Sequence, residues 1–238
     1  MTPQHARRHG PKAPSTPGFA RIPSPVCAWL LCALLAGCST TDVRIASDAT
    51  GAPVKVHGSV VLIDPDIELY EVAAGGMQEP RPQWTEAARR AYPAAVRELL
   101  AAHGSTLLPD FVPPPALQPG DSSNIDHVRQ LLLLHQAVAN SIVLHSQPGA
   151  DLATKNGRFD WTLGPGVSVL RDATHADYAL FTYIRDSHGG EHTELASLVD
   201  LRNGQIVWFN VLRDGKGDLR EAASVRTTVA SLLEQIPL

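Results

Sequence analysis

His175, His188 and His192 lie close together in the sequence with Asp186, and imidazoles beside a carboxylate are side chains that can hold a catalytic metal ion. The gap in His188-Gly189-Gly190-Glu191-His192 would let two imidazoles reach one ion, as a metal-dependent hydrolase requires. Spacing fixes that geometry only on a helix, however, and Gly189-Gly190 speaks against one. The zinc-protease pattern His-Glu-x-x-His is absent. A polar hairpin loop accounts for the same residues, so no metal and no cofactor is assigned, and the four residues stand as candidates only.

Other groupings are weaker. Asp64, Asp66 and Glu68 alternate, which on a strand would place three carboxylates on one face, able to bind a cation or to work as an acid/base pair. Pro65 bends the chain between the first two, and an exposed strand end has the same pattern. Gly215-Lys216-Gly217 could hold an anion between a strand and a helix, but the pattern Gly-x4-Gly-Lys-Ser/Thr is not met. Ser39, Ser141 and Ser197 occupy no Gly-x-Ser-x-Gly elbow. Trp84 or Trp161, if exposed, could stack on a sugar, whereas core packing is the plainer use of either. No catalytic residue is assigned, and an enzyme is not expected.

The strongest chemical signal is a lipid-acceptor cysteine. Leu35-Ala36-Gly37-Cys38 resembles the bacterial lipobox at every position, with small residues ahead of the cysteine as a signal peptidase cleft requires. Upstream, residues 1–24 carry Arg7, Arg8, Lys12 and Arg21 and no acid, and residues 26–36 are apolar, a charged segment followed by a hydrophobic one. Eleven apolar residues fall short of the roughly 20 needed to span hydrocarbon, so residues 1–37 read as a removable signal peptide. An ordinary secretory signal that contains a cysteine is the alternative. The mature protein is then expected to begin at a lipidated Cys38. Ser39 behind it, in place of Asp, is the outer-membrane pattern of enteric-type sorting, with the domain facing the periplasm.

Removing residues 1–37 takes away four of the 20 basic residues and none of the 24 acidic ones, which leaves 16 against 24, a formal charge of −8. Nucleic acid and anionic lipid head groups would repel such a domain. Cys27 and Cys32 leave with the signal, and Cys38 remains as the only thiol. Disulfides, a cysteine-based zinc site and a thiol nucleophile are thereby excluded. The fold must rest on its apolar core, and 44% hydrophobic residues over about 200 positions suffice for one domain.

Several elements must position these groups. Residues 38–57 are rich in Ser, Thr, Asp, Ala and Gly with little periodicity, and are expected to form a lipidated flexible tether. Residues 59–63 and 67–72 are β-branched around Asp64-Pro65, giving one bent strand or two short ones. Apolar residues spaced by three and four over 84–103 predict an amphipathic helix, kinked at Pro93 and closed by Gly104. A short strand at 106–108 and a proline-rich extended loop over 109–120 follow. Ser123-Asn124-Ile125-Asp126 reads as a capping box for a helix ending near His145, whose apolar residues wrap far enough to predict burial on two sides.

Residues 158–163 suggest a short strand, 167–173 a brief helix and 178–184 a central strand. Residues 194–201 and 205–212 predict a hairpin through a type I′ turn at Asn203-Gly204, pairing Leu201 with Ile206, Val199 with Trp208 and Leu198 with Phe209. Asp218 and Glu221 are expected to cap a last helix. The fold class is α/β: a single-domain mixed sheet of five to six strands packed by three main helices over residues 58–238.

Ala176-Asp177-Tyr178-Ala179-Leu180-Phe181, then Ala196-Ser197-Leu198-Val199-Asp200-Leu201 and Gly204-Gln205-Ile206-Val207-Trp208, resembles a group of uncharacterised proteobacterial lipoproteins. More distantly the pattern is similar to the small α/β domain of the curli-secretion lipoprotein, of the Tol-system β-propeller protein and of the lipoprotein activators of penicillin-binding proteins. The resemblance spans residues 58–236 in element order, and its motifs specify a sheet rather than a chemistry. It implies envelope proteins as partners and supplies no catalytic residue. The chain is therefore expected to be a lipid-anchored accessory or assembly factor of the cell envelope that acts by protein–protein contact. A periplasmic metal-dependent hydrolase and a peptidoglycan- or sugar-binding lipoprotein are the alternatives.

Overall fold

The computed structural model describes residues 40–113, 123–188, 192–213 and 218–238. Ser39–Leu238 forms one compact unit. Its elements in chain order are β1 (Thr40–Ile45), β2 (Ser59–Leu62), β3 (Asp66–Val72), β4 (Gln78–Pro80), α1 (Pro82–Ala102), β5 (Thr106–Leu107), α2 (Ser123–His145), α3 (Ser168–Thr174), β6 (Tyr178–His188), β7 (His192–Asp200), β8 (Ile206–Arg213) and α4 (Ala222–Leu232). The α/β class holds. The sheet has eight strands, more than the five to six expected, because β1, β4 and β5 add short or edge members.

The organising strand is β6, in whose first seven residues Tyr178, Phe181, Thr182, Tyr183 and Ile184 are β-formers. It pairs antiparallel with β7, which continues through β8 to β1 at the edge. Along its other side it is long enough to take two parallel partners in succession, β2 opposite Tyr178–Leu180 and β3 opposite Tyr183–His188. The break between β2 and β3 falls at Pro65, which has no N–H to give the ladder. On the β2 side of that break the Ile63 amide still donates to Leu180 O at 3.0 Å, while the Asp64 amide turns away to Phe111 O at 2.8 Å. Of the two arrangements open around Asp64-Pro65, one bent strand or two short ones, the chain takes two separate strands on one neighbour.

Alternate residues of β6 feed two separate cores. Tyr178, Leu180 and Ile184 pack with α1 and α4, together with Trp208 and Leu212 of β8. Ala179 and Phe181 pack with α2 and α3, together with Leu195, Val199 and Phe209. A strand covered on both faces must be apolar at nearly every position, which is why the central strands show little alternation in sequence. Helix α1 buries Ala88, Tyr92, Ala95, Val96 and Leu100, a stripe at helical spacing, and runs through Pro93 as one element. Gly104, at φ 75°, closes it: its amide donates to Ala101 O, and that of Ser105 to Leu100 O.

Several expectations need correction. Residues 40–57 are not a tether. Val43 and Ile45 of β1 pack against the α1/α4 core while Arg44 between them is exposed, the pattern an edge strand tolerates. Beyond β1, Ala46 is buried and its amide donates to Val207 O, and buried Val56 donates to Pro237 O. Composition averaged over the segment hides the two apolar positions that tie it down.

The β7–β8 hairpin forms, but not through a type I′ turn. Asn203 keeps a negative φ, and only Gly204 is left-handed, at 80°. The Gly204 amide donates to Asp200 O, and Asp200 pairs with Gln205, so the loop holds four residues and not two. A bulge then shifts the ladder, and the pairs are Val199 with Ile206, Leu198 with Trp208 and Ser197 with Phe209. Gly204 is required here for a second reason: a Cβ on it would lie 2.1 Å from the carbonyl oxygen of Gly164. Residues 158–163, directly ahead of Gly164, form a single bridge, Thr162 with Gln205, in place of the expected strand.

Helix α2 is buried along one stripe only, Val128, Leu131, His135, Ala139 and Ile142. Its other side is open, with Leu133, Leu134 and Leu144 exposed at 66%, 43% and 59%. Ser123 of the capping box at residues 123–126 and the Gly215-Lys216-Gly217 segment lie outside the described side chains. At α4 the helix begins after Glu221 without a side-chain cap, because the Asp218 carboxylate is taken by the amide and guanidinium of Arg220.

Candidate functional site

The histidines singled out by spacing do not converge. His175 sits in the left-handed position that ends α3, before β6 begins, whereas His188 is the last residue of that strand. The ten residue steps of β6 from Tyr178 to His188 alone put roughly 33 Å between the two ends. His188 is exposed, and Gly189-Gly190-Glu191 lies outside the described residues. Among the described residues no group of three or more His, Cys, Asp or Glu side chains is arranged to hold a metal ion.

His192 and Asp186 do meet, for a reason the loop reading missed. They are directly opposed in the β6–β7 ladder, and Glu194, two residues along β7, shares their face. His192 Nδ1 lies 3.0 Å from Asp186 Oδ1, and Nε2 lies 2.8 Å from Glu194 Oε1. The second contact is an ion pair without hydrogen-bond alignment. Burial alone would lower the His192 pKa, but hydrogen bonding to Asp186 and the two carboxylate charges outweigh it and push the value up to about 10. Glu194 is 0% exposed, and burial raises its pKa against the pull of His192. An imidazolium held between two carboxylates has no lone pair for a metal. The pattern that could have found Glu194 is its cross-strand relation to Asp186 around the hairpin, not the spacing of histidines.

The carboxylates at 64, 66 and 68 separate as Pro65 requires. Asp66 and Glu68 lie on the α2 face of β3, and Arg185 of β6 reaches both, at 3.0 and 3.1 Å, while stacking 4.1 Å from the centre of the Tyr183 ring. Tyr70 donates its hydroxyl proton to Glu68, which raises the Tyr70 pKa. Asp64 lies beyond the break, where burial raises its pKa although Arg89 opposes.

Asp64 and Asp66 form one wall of a cleft of about 240 Å³ between the β2–β3 joint and α2. His135 of α2 forms another, stacked on Phe181 with ring centres 4.2 Å apart. Its Nε2 lies 2.6 Å from Ser197 Oγ. A serine against an imidazole is the start of a nucleophilic pair, but three features count against that use. Ser197 is 0% exposed on β7; among the described residues no carboxylate hydrogen-bonds the ring; and burial pushes the His135 pKa down to about 3. What the geometry gives is a neutral hydrogen-bonded pair, of which His135 lines the cleft. Sequence reasoning passed over His135 because it occupies a core position of an apolar helix.

Both tryptophans suggested for sugar stacking already carry cations on their rings. Arg81 and Arg220 lie 5.6 and 5.3 Å from the centre of Trp84, and Lys155 lies 4.6 Å from that of Trp161. Both rings are half-buried. No helix among the described residues is long and apolar enough to cross a membrane.

No family model matches the chain, and no curated protein matches it. Among solved structures it is similar to PelC, crystallised as a dodecamer, from Paraburkholderia phytofirmans, with 11% identity and a TM-score of 0.35, covering 82% of this chain and 96% of that one. It is also similar to the C-terminal domain of LpoB from Escherichia coli, with 15% identity and a TM-score of 0.30 over 70% of this chain and 85% of that one. The solution structure of E. coli LpoB aligns over 90% of each chain, with 16% identity and a TM-score of 0.25. The chain is thus weakly similar in structure to PelC and LpoB.

Proposed function

We propose that this chain is a cell-envelope lipoprotein, cleaved before Cys38, anchored by lipid on that cysteine in the outer membrane, and acting on envelope proteins through contact rather than catalysis. The observation that carries the reading is a coincidence of boundaries. The lipobox Leu35-Ala36-Gly37-Cys38 ends where the compact unit Ser39–Leu238 begins. Contact as the mode of action is supported by the open side of α2, where Leu133, Leu134 and Leu144 present apolar surface to solvent. Polar clusters in the body of the domain are engaged internally: Arg185 with Asp66 and Glu68, His192 with Asp186 and Glu194, and His135 with Ser197.

The anchor is tested by metabolic palmitate labelling of the full chain and of Cys38→Ala. Labelling is expected only in the parent protein, and label that persists in the variant overturns the assignment. The mode of action is tested by a photo-crosslinking residue placed at Leu133 or Leu144 in intact cells. Adducts to an envelope protein are expected, and their absence at both positions removes the support for contact through α2.

A further inference from the structure

We infer that the anchored domain stands on the bilayer with one defined end of its sheet against the lipid head groups, and with the β7–β8 hairpin tip directed away from the membrane. This inference rests on lipidation at Cys38 and adds the orientation that lipidation alone does not fix. It follows from how little chain separates the anchor from the fold. Residues 40–57, read as a tether, would have let the domain turn freely. In the structure β1 starts at Thr40, and Ser39 alone lies between it and Cys38. Two peptide steps of about 3.8 Å each keep the start of β1 within roughly 8 Å of the lipidated residue.

Strand register then extends that constraint across the whole sheet. Thr40 pairs with Arg213, Arg213 with Thr193, Thr193 with Arg185, and Arg185 with Glu68. This row belongs to the anchored end, and β6 carries on past it to His188, opposite Glu71 of β3. Chain direction sets the other end. β8 runs seven residue steps from Arg213 back to Ile206, roughly 23 Å, before the tip at Arg202 and Asn203.

The anchored end is chemically suited to head groups. A cleft of about 300 Å³ opens there between Tyr70, Tyr183, Arg185 and Thr193. Tyrosine and arginine are side chains that settle at a membrane–water interface, with an apolar body and a polar tip. Arg185 is shared by Asp66 and Glu68, and Asp218 pairs with Arg220, so the acids around this cleft are offset in part by neighbouring guanidinium groups.

Loss of Cys27 and Cys32 with the signal, and lipid on Cys38, leaves the mature protein without a free thiol, so one introduced cysteine is a unique reporter. The exposed positions His188→Cys and Asn203→Cys mark the two ends. Each variant, purified in its lipidated form, is labelled with bimane and placed in vesicles of phosphatidylethanolamine and phosphatidylglycerol that carry a head-group nitroxide lipid. Bimane at 188 is expected to be quenched several-fold more strongly than bimane at 203. Equal quenching, or stronger quenching at 203, overturns the orientation while a lipid mass increment on Cys38 upholds the anchor. Absence of that increment overturns the anchor, and the orientation with it.

Discussion

Each face of the sheet holds a histidine against buried neighbours, and the two are held in opposite charge states. On the α1/α4 face, His192 stands between Asp186 and Glu194 and is cationic, its pKa pushed up to about 10. On the α2/α3 face, His135 stands between Phe181 and Ser197 and is neutral, its pKa pushed down to about 3. Burial acts on both in the same direction, against the charged form. What differs is the neighbour. Two carboxylates reverse the effect of burial, while an aromatic ring and a hydroxyl leave it unopposed. The same residue type therefore gives one face an ion-pair network and the other a quiet core contact.

The largest expected effect comes from removing the cation. His192→Ala leaves Glu194 at 0% exposure with no counter-charge, and breaking a buried pair from one side typically costs about 3–5 kcal/mol. Urea denaturation should show that loss. Replacing both partners, His192→Leu with Glu194→Leu, should recover most of it, since an apolar pair needs no compensation. A single variant as stable as the parent would mean that Glu194 is protonated and the network is not ionic. The pH dependence follows from the raised pKa. The folded state holds the His192 proton more tightly than the unfolded chain does, so this contribution is complete below about pH 6.5 and is lost as pH rises through about 10.

On the other face the effect should be smaller and of opposite sign in pH. His135→Phe keeps the stacking on Phe181 but leaves the Ser197 hydroxyl without its partner, a loss of about 1–3 kcal/mol. In the parent, the unfolded chain takes up a proton at His135 below about pH 6.5 while the folded state resists it down to about 3. Stability should therefore fall on acidification across that window, by up to about 1.4 kcal/mol per pH unit. His135→Phe should flatten this part of the acid limb. An unchanged acid limb would show that His135 protonates freely in the folded state.

Why the two faces were unequally legible follows from what a one-dimensional pattern records. Helix α1, strand β6 and the existence of the β7–β8 hairpin could be read because periodicity and turn residues are local. The His192 network depends on pairing across β6 and β7, which brings Asp186 and Glu194 to one side chain from two strands. The His135–Ser197 contact joins residues 62 positions apart, and neither carries a motif. Strand β1 was missed because Val43 and Ile45 are two apolar positions in a polar stretch, and their meaning depends on β8 lying beside them. The hairpin register was misread because Asn203-Gly204 permits a two-residue turn, while packing of Gly204 against Gly164 selects a four-residue one. Alternating strand faces and helix stripes are thus visible in sequence, and contacts that depend on register are not.

The smallest expected effect on stability lies on the open side of α2. Leu133→Ser and Leu144→Ser alter side chains that pack against little, so each should shift stability by no more than about 0.5 kcal/mol. This separates the stripe that α2 buries, including His135, from the stripe it leaves open. If the open stripe serves a partner, the double variant, with the photo-crosslinking residue at Leu134, should keep its urea midpoint and lose its photo-crosslinks in the envelope. A large drop in midpoint would instead show that these leucines are covered by the chain itself, and would return the outer side of α2 to the α2/α3 core. Retained crosslinks at full strength would move the contact surface elsewhere on the domain, with the β7–β8 hairpin tip at Arg202 and Asn203 as the next place to probe.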